Sequence, residues 1–297
     1  MCDAVGAIFI HPKGQVDYVG GNGKTLRASV IIVSMMHAAR PVGDFLREWR
    51  QRRRMSQLDL ALEAEISTRH LSFMETGRAA PSREMVLRLA ERLDIPLRER
   101  NALLVAAGFA PVFPERSLDD PLLQPARKAM DLVLAGHEPY PALAIDRHWN
   151  LVAYNKAVPF FLASVDPSLL TPPVNVLRLS LHPQGFAPRI ANYWEWRIHL
   201  FERLRHQIGI TADPVLVDLI NELSAYPAPD GAKPHHGGND YAGVVVPLQF
   251  ISDAGVMSFI STTTVFGTPI DVTLSELALE TFFPADAATA EALRKIG

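Results

Sequence analysis

Between residues 41 and 109, apolar positions recur every three to four residues in short blocks parted by polar or glycine-bearing turns. That spacing predicts about five short helices. The first carries Phe45, Leu46 and Trp49 on one side and arginines elsewhere. Across 56–77 two amphipathic helices meet at a tight turn, and Leu58, Ala61, Leu62, Ile66, Leu71 and Met74 form an apolar set that can close on itself. Gly77 ends the second helix as a C-cap. Ser82 caps a helix over 83–93 with Met85, Val86, Leu89, Ala90 and Leu93 inside. Pro96 opens the next, with Leu103, Leu104 and Ala107 inside, and Gly108 closes it. Residues 110–124 hold Pro111, Pro114 and Pro121 and read as a linker after a bundle spanning 40–109. From 125 to 297 the pattern mixes periods. A helix covers about 122–136, and short strands cover 142–146 and 151–154. Asn155 is placed to cap a helix through Leu162. A long helix over 188–208 carries Ile190, Trp194, Ile198, Phe201 and Leu204, and another covers 214–223. The β-rich runs are 244–251, 256–266 and 274–283, with a last helix near Ala285. The fold class expected is α+β overall, an all-α five-helix bundle followed by an antiparallel sheet with helices.

The two helices of 56–77 have the geometry of a helix-turn-helix, whose second helix enters the major groove. Thr68, Arg69, Ser72 and Phe73 are the expected base-reading residues. Arg can bond guanine O6 and N7 together, and Thr can touch a thymine methyl. Ser56, Gln57, Thr76, Arg78 and Arg83 are the expected phosphate contacts, which position without specifying.

Charge supports this division. Residues 40–100 hold 13 Arg and 10 acids, a net of +3, whereas residues 101–297 hold 13 Lys and Arg against 20 acids, a net of −7. The cluster Arg47, Arg50, Arg52, Arg53 and Arg54 matters more than the sum, and a mildly basic module joined to an acidic one fits DNA binding by the first. One cysteine, Cys2, excludes an intramolecular disulfide framework and a thiolate-rich zinc site, and fits a reducing cytoplasm. The longest apolar run near the start, 28–36, is too short to span a bilayer. Residues 1–39 lack periodicity and read as a flexible extension; Met35 or Met36 is a sensible natural start, which makes part of it a candidate gene-start artefact. Gly20-Gly21-Asn22-Gly23-Lys24-Thr25 imitates a phosphate loop but has Tyr18 where that motif needs Gly. His235-His236 lies in a Pro/Gly loop and reads as a solvated pair. No nucleophile elbow, HExxH run or phosphate loop appears, so no catalytic residue, cofactor or metal is expected.

Residues 41–109 resemble the phage-repressor (Xre-type) helix-turn-helix family, which implies an ion pair between Arg50 and Glu75. One departure is Glu65, where that family usually has Gly in the interhelical turn; a non-Gly residue at positive φ costs about 1 kcal/mol. The order of two strands, helices and three strands resembles a PAS domain, a five-stranded antiparallel sheet with helices on one face. With residues 65–78, Pro96-Leu97-Arg98-Glu99-Arg100-Asn101, Ala142-Leu143-Ala144-Ile145-Asp146-Arg147-His148-Trp149-Asn150 and the run 266–274, the chain from about 40 to 297 resembles the MmyB-like transcription regulators. The resemblance implies a PAS-like ligand-binding domain, with a long-chain fatty acid as the suspected ligand type.

Candidate ligand contacts are Trp149, Tyr154, Asn155, Phe161, Arg178, His182, Asn192, Trp196 and Phe266. A pocket needs a few polar groups among apolar walls, and Arg178, a cation amid aliphatics, is the expected partner of a ligand carboxylate. The cavity expected is elongated and of drug-size volume or larger. The function expected is a cytoplasmic, homodimeric, non-enzymatic transcription regulator that binds a double-stranded DNA operator and a small apolar ligand, with no membrane partner. Two other readings stay open: a second domain that only dimerises or recruits a partner, and a DNA-binding domain fused to an enzyme.

Overall fold

The computed structural model describes residues 40–232, 246–253, 255–267 and 269–296, together with the backbone of three short strands before residue 28. The chain divides into two compact units, Met1–Phe113 and Pro114–Gly297. The three early strands, β1 (Ala7–Ile10), β2 (Val16–Val19) and β3 (Thr25–Arg27), pair as an antiparallel meander, where the sequence led us to expect no regular element. The phosphate-loop-like segment 20–24, Cys2 and the His235-His236 pair lie outside the described residues.

Five helices follow: α1 (Val42–Arg52), α2 (Gln57–Glu63), α3 (Thr68–Glu75), α4 (Arg83–Arg92) and α5 (Leu97–Ala106). Caps set their starts. The Ser56 hydroxyl accepts from Asp59 N while the Asp59 carboxylate accepts from Ser56 N, a reciprocal capping box. Ser67 caps α3 and Ser82 caps α4 in the simpler way. The core holds Phe45, Leu46, Trp49, Leu60, Ala61, Ala64, Leu71, Met74, Val86, Leu89, Leu103 and Leu104. The helix phase of α2 corrects the expected apolar set. Leu58 and Leu62 are 56% and 68% exposed, and Leu60 and Ala64 face inward instead. Asn101 ties Val112 and Phe113 to this unit.

The segment read as a linker is only partly one. Pro114 and Arg116 accept hydrogen bonds from Val272 and Thr273, and Arg116 pairs with buried Asp271, so the chain from 114 onward belongs to the second unit. That unit contains α6 (Gln124–Gly136), β4 (Ala142–Ile145), β5 (Leu151–Tyr154), α7 (Val158–Leu162), α8 (Val176–Leu181), α9 (Tyr193–Thr211), α10 (Pro214–Ser224), β6 (Leu248–Ser252), β7 (Gly255–Val265), α11 (Val272–Ser275), β8 (Ala278–Pro284) and α12 (Ala287–Ile296). The strands form an antiparallel sheet ordered β5-β4-β8-β7-β6, so the first and last strands of the unit lie side by side at its centre. Registers Leu143↔Glu280 and Leu248↔Phe259 put those four residues on one face, with α8 and α9 packed against it. Ala144 and Leu279 point to the other face, where Met130 and Leu134 of α6 cover them. Helices therefore pack on both faces of this PAS-like sheet, not on one. In α9 the buried stripe is Trp196, Leu200 and Leu204 with Tyr193 and Phe201; Ile198, expected inside, is exposed.

Candidate functional site

In the first unit the candidate site is α3 and what holds it. Glu65 adopts φ +57, so the α2–α3 turn keeps the left-handed shape that glycine would give at no steric cost. Gly43 lets α1 close on the end of α3: a Cβ there would sit 2.5 Å from Met74 O and 2.7 Å from Glu75 O. Glu75 is 2% exposed. Its carboxylate accepts from Arg50 Nε at 2.6 Å and Nη2 at 2.9 Å, and from Gln57 Nε2 at 2.8 Å. Arg47 donates to the Glu75 carbonyl at 3.0 Å. Burial by itself would raise the Glu75 carboxyl, but the hydrogen bonds from Arg50 and then Gln57 outweigh it and hold it below its ordinary range. The same bond raises the Arg50 guanidinium. The pair Arg50–Glu75 thus exists, and Gln57, expected on a phosphate, braces it.

The arginine cluster is likewise largely committed inward. Arg53 donates to the carbonyls of Leu93 and Asp94, and Arg52 pairs with Glu48. What α3 leaves to solvent is Arg69 and His70, both exposed, beside half-buried Thr68, Ser72 and Phe73. The Arg69 guanidinium lies 5.3 Å from the Phe73 ring centroid and that of Arg78 5.9 Å, so one aromatic ring holds two cations near it. The Thr76 hydroxyl donates to the Ser72 carbonyl at 2.7 Å. Ser56 is occupied as a cap, and Arg83 stands exposed at the start of α4.

In the second unit an apolar cavity of about 120 Å³ lies between α8, α9 and the inner sheet face, walled by residues such as Leu143, Leu177, Phe250, Phe259 and Phe282. Of the nine expected ligand contacts, Trp149, Phe161 and Trp196 line it. The other six do not, and each has a local reason. Tyr154 is 49% exposed. Asn155 does not cap α7 as expected. It accepts from Ala142 N and donates to the carbonyls of Leu134 and Tyr140, joining β4, β5 and α6. Arg178 forms a two-pronged pair with Glu222 of α10, both contacts 2.7 Å, and the Tyr226 hydroxyl donates to the same carboxylate. His182 accepts from Gln184 N and meets the Tyr226 ring edge-on. Asn192 pins the start of α9 to Pro247 and Gln249. Phe266 packs with the α6 cluster on the far face.

Ser180 and Glu280, the polar members of the cavity wall, were not foreseen, and each is held by a neighbouring polar group. Trp196 Nε1 donates to Ser180 Oγ at 2.9 Å. Glu280, buried, pairs with Arg203 and accepts from the Thr263 hydroxyl. Trp149, at φ +65, donates to Gln207, and the Arg203 guanidinium lies 4.8 Å from its ring. Burial, and next the Arg203 charge, push His199 below its ordinary value. Among the described residues, no group of three His, Cys, Asp or Glu side chains could hold a metal, and no helix is long and apolar enough to cross a membrane.

A five-helix bundle built around the braced helix α3, followed by a PAS-like sheet with a half-open apolar pocket on one face, defines a two-module architecture. Residues 126–296 match the family model of the MmyB-like transcription regulator ligand binding domain, and residues 46–100 match that of a helix-turn-helix. The first match alone covers more than half of the chain, and the chain belongs to the MmyB-like family. A protein of Methanoculleus marisnigri named "Putative HTH-type transcriptional regulatory protein" is 37% identical over 117 residues, which are 38% of this chain and 37% of that one. The alignment therefore spans little more than a third of that relative. The solved structure of an RNA-binding light-oxygen-voltage receptor aligns with 95% of this chain and 71% of its own at 13% identity, but with a TM-score of 0.22 it carries no structural argument.

Proposed function

We propose that this chain is a sequence-specific DNA-binding transcription regulator, acting as a cytoplasmic homodimer, whose second unit senses a small apolar ligand. The observation that carries the reading is α3. Its buried side is locked by Glu75, Arg50, Gln57 and Gly43, while Thr68, Arg69, Ser72 and Phe73 are left along one accessible edge. A rigid helix with an uncommitted polar and aromatic edge suits groove reading, where misplacement by an ångström loses bidentate bonds. No reaction is needed. Ligand binding would shift the populations of two dimer arrangements with different operator affinity.

The fatty-acid part of the reading draws on the apolar walls and meets a size limit. About 120 Å³ is close to the ~150 Å³ cavity that takes up benzene and below the roughly 300–1,000 Å³ of drug-sized pockets. A short chain or single ring fits inside, and a long-chain acid would have to run out through the open side of the pocket or move the walls. Selection of genomic fragments by the purified full chain, followed by anisotropy titration, tests the DNA arm. The expected product is a site with two half-sites about 10 base pairs apart, centre to centre, as a dimeric helix-turn-helix requires. Retention of DNA without sequence preference would sink the proposal.

A further inference from the structure

The cavity wall is apolar except at Ser180 and Glu280, and what these two can still bond decides the head group that fits. Ser180 Oγ accepts from Trp196 Nε1. A hydroxyl carries one donor and two acceptor lone pairs; among the described residues the Ser180 O–H has no acceptor, so it keeps its donor and one lone pair. The Glu280 carboxylate accepts two bonds from Arg203 and one from Thr263. Against the roughly four acceptor positions of a carboxylate, one is left. Arg203 itself is occupied by Glu280, Thr263 and the face of Trp149. None of the described lining residues is Lys, Arg or His. Arg178 does not line the cavity and holds Glu222.

We infer that this cavity takes a short apolar molecule bearing a neutral hydroxyl, in preference to a carboxylate of the same length. The inference rests on the ligand-sensing reading above and specifies its chemistry. A hydroxyl can either donate to the free Glu280 position or accept from the Ser180 O–H, so it finds a partner at whichever of the two its chain brings it to. A carboxylate only accepts; it would lie near a second carboxylate with no cation free to pair, and burying an unpaired charge is strongly unfavourable. An ammonium fares no better, because Arg203 already neutralises Glu280.

The test uses the full chain with hexanol, hexanoate and hexylamine, whose six-carbon bodies match the benzene-scale volume. Calorimetry gives affinities. Bromohexanol and bromohexanoate report location by quenching tryptophan, since Trp149 and Trp196 line the cavity. Hexanol is expected to bind at least about tenfold more tightly than hexanoate or hexylamine, with quenching by the bromoalcohol. Ser180→Ala, a conservative change at a half-buried helical position, should weaken hexanol about three- to tenfold, the worth of one neutral hydrogen bond, and leave hexanoate unchanged. Hexanoate or hexylamine binding as tightly as hexanol overturns the inference, and so does an undiminished alcohol preference in Ser180→Ala. Binding by a long-chain acid with none by the six-carbon probes overturns the inference while leaving the sensor reading standing. Binding by no compound of any length removes both.

Discussion

Replacing Glu75 by Leu should loosen α1 and α3 far more than replacing Glu75 and Arg50 together. Glu75 is 2% exposed and receives three side-chain donors from Arg50 and Gln57. Without it, the Arg50 guanidinium, 11% exposed, keeps a single bond to the Met55 carbonyl. Removing one member of a buried pair costs about 3–5 kcal/mol, whereas replacing both with apolar groups is often neutral. At tenfold per ~1.4 kcal/mol, Glu75→Leu should speed amide exchange in 42–52 and 68–75 by roughly a hundred- to several-thousandfold. The double variant Arg50→Met/Glu75→Leu should stay within about tenfold of the parent. Hydrogen–deuterium exchange read by peptide mass spectrometry suits a two-unit chain because it resolves these helices separately. The effect also has a pH signature. The folded carboxyl titrates below its ordinary value of 4.5, so its stabilisation is fully present above that value. It drains as pH falls through the lower folded value. The difference between parent and Glu75→Leu should shrink across that acid window. Additive effects of the two substitutions, or a pH-independent difference, would refute the brace.

Arg69→Ala should cost about 1–3 kcal/mol on the selected operator and relax one base position; full discrimination by the variant across an operator library would remove Arg69 from base reading. Gly43→Ala, whose new Cβ meets Met74 O at 2.5 Å, should push α1 off α3. The loss should be about 1–3 kcal/mol, as overpacking typically costs, seen as a lower melting transition of the helical unit; an unchanged transition would mean the helices slide at no expense. Arg178→Ala should lower the stability of the second unit by about 1 kcal/mol or less, since its pair with Glu222 is over a third exposed. It should leave the hexanol-to-hexanoate ratio untouched, and a selective loss of acid binding would return Arg178 to the ligand.

Which parts were legible in the sequence follows from how local their causes are. Caps and turn residues act within four positions, so Ser82, Gly77 and Pro96 marked helix ends correctly. The Glu65 turn and the Arg50–Glu75 pair followed from the family pattern. Phase was harder. In Leu58-Asp59-Leu60-Ala61-Leu62 the leucines alternate, and periodicity alone fits either face; the partner helices chose Leu60, Ala61 and Ala64. The run Tyr193-Trp194-Glu195-Trp196 puts aromatics nearly all round α9, and the inward stripe fell to Trp196, Leu200 and Leu204. Least legible were long-range polar partners. Arg53 bonds carbonyls 40 and 41 positions away, Arg178 a carboxylate 44 away and Arg203 one 77 away. Counting charges along the chain credits such residues to surface or ligand, whereas their hydrogen-bond partners are set by tertiary packing.

If the second unit senses a ligand that controls DNA binding, the coupling has a test that needs no knowledge of how the two units meet. A ligand that changes operator affinity by some factor must itself be bound more or less tightly by that same factor when operator is present, because both measure one coupling free energy. Typical couplings of about 1–3 kcal/mol correspond to roughly 5–150-fold. The operator titration should therefore be repeated with saturating hexanol, and the hexanol titration with saturating operator. Equal factors above about fivefold would show that the cavity speaks to α3. A measurable ligand affinity with both factors at one would mean that a ligand occupies the cavity without control over DNA. The second unit would then be a dimerisation or recruitment module whose cavity is incidental to regulation.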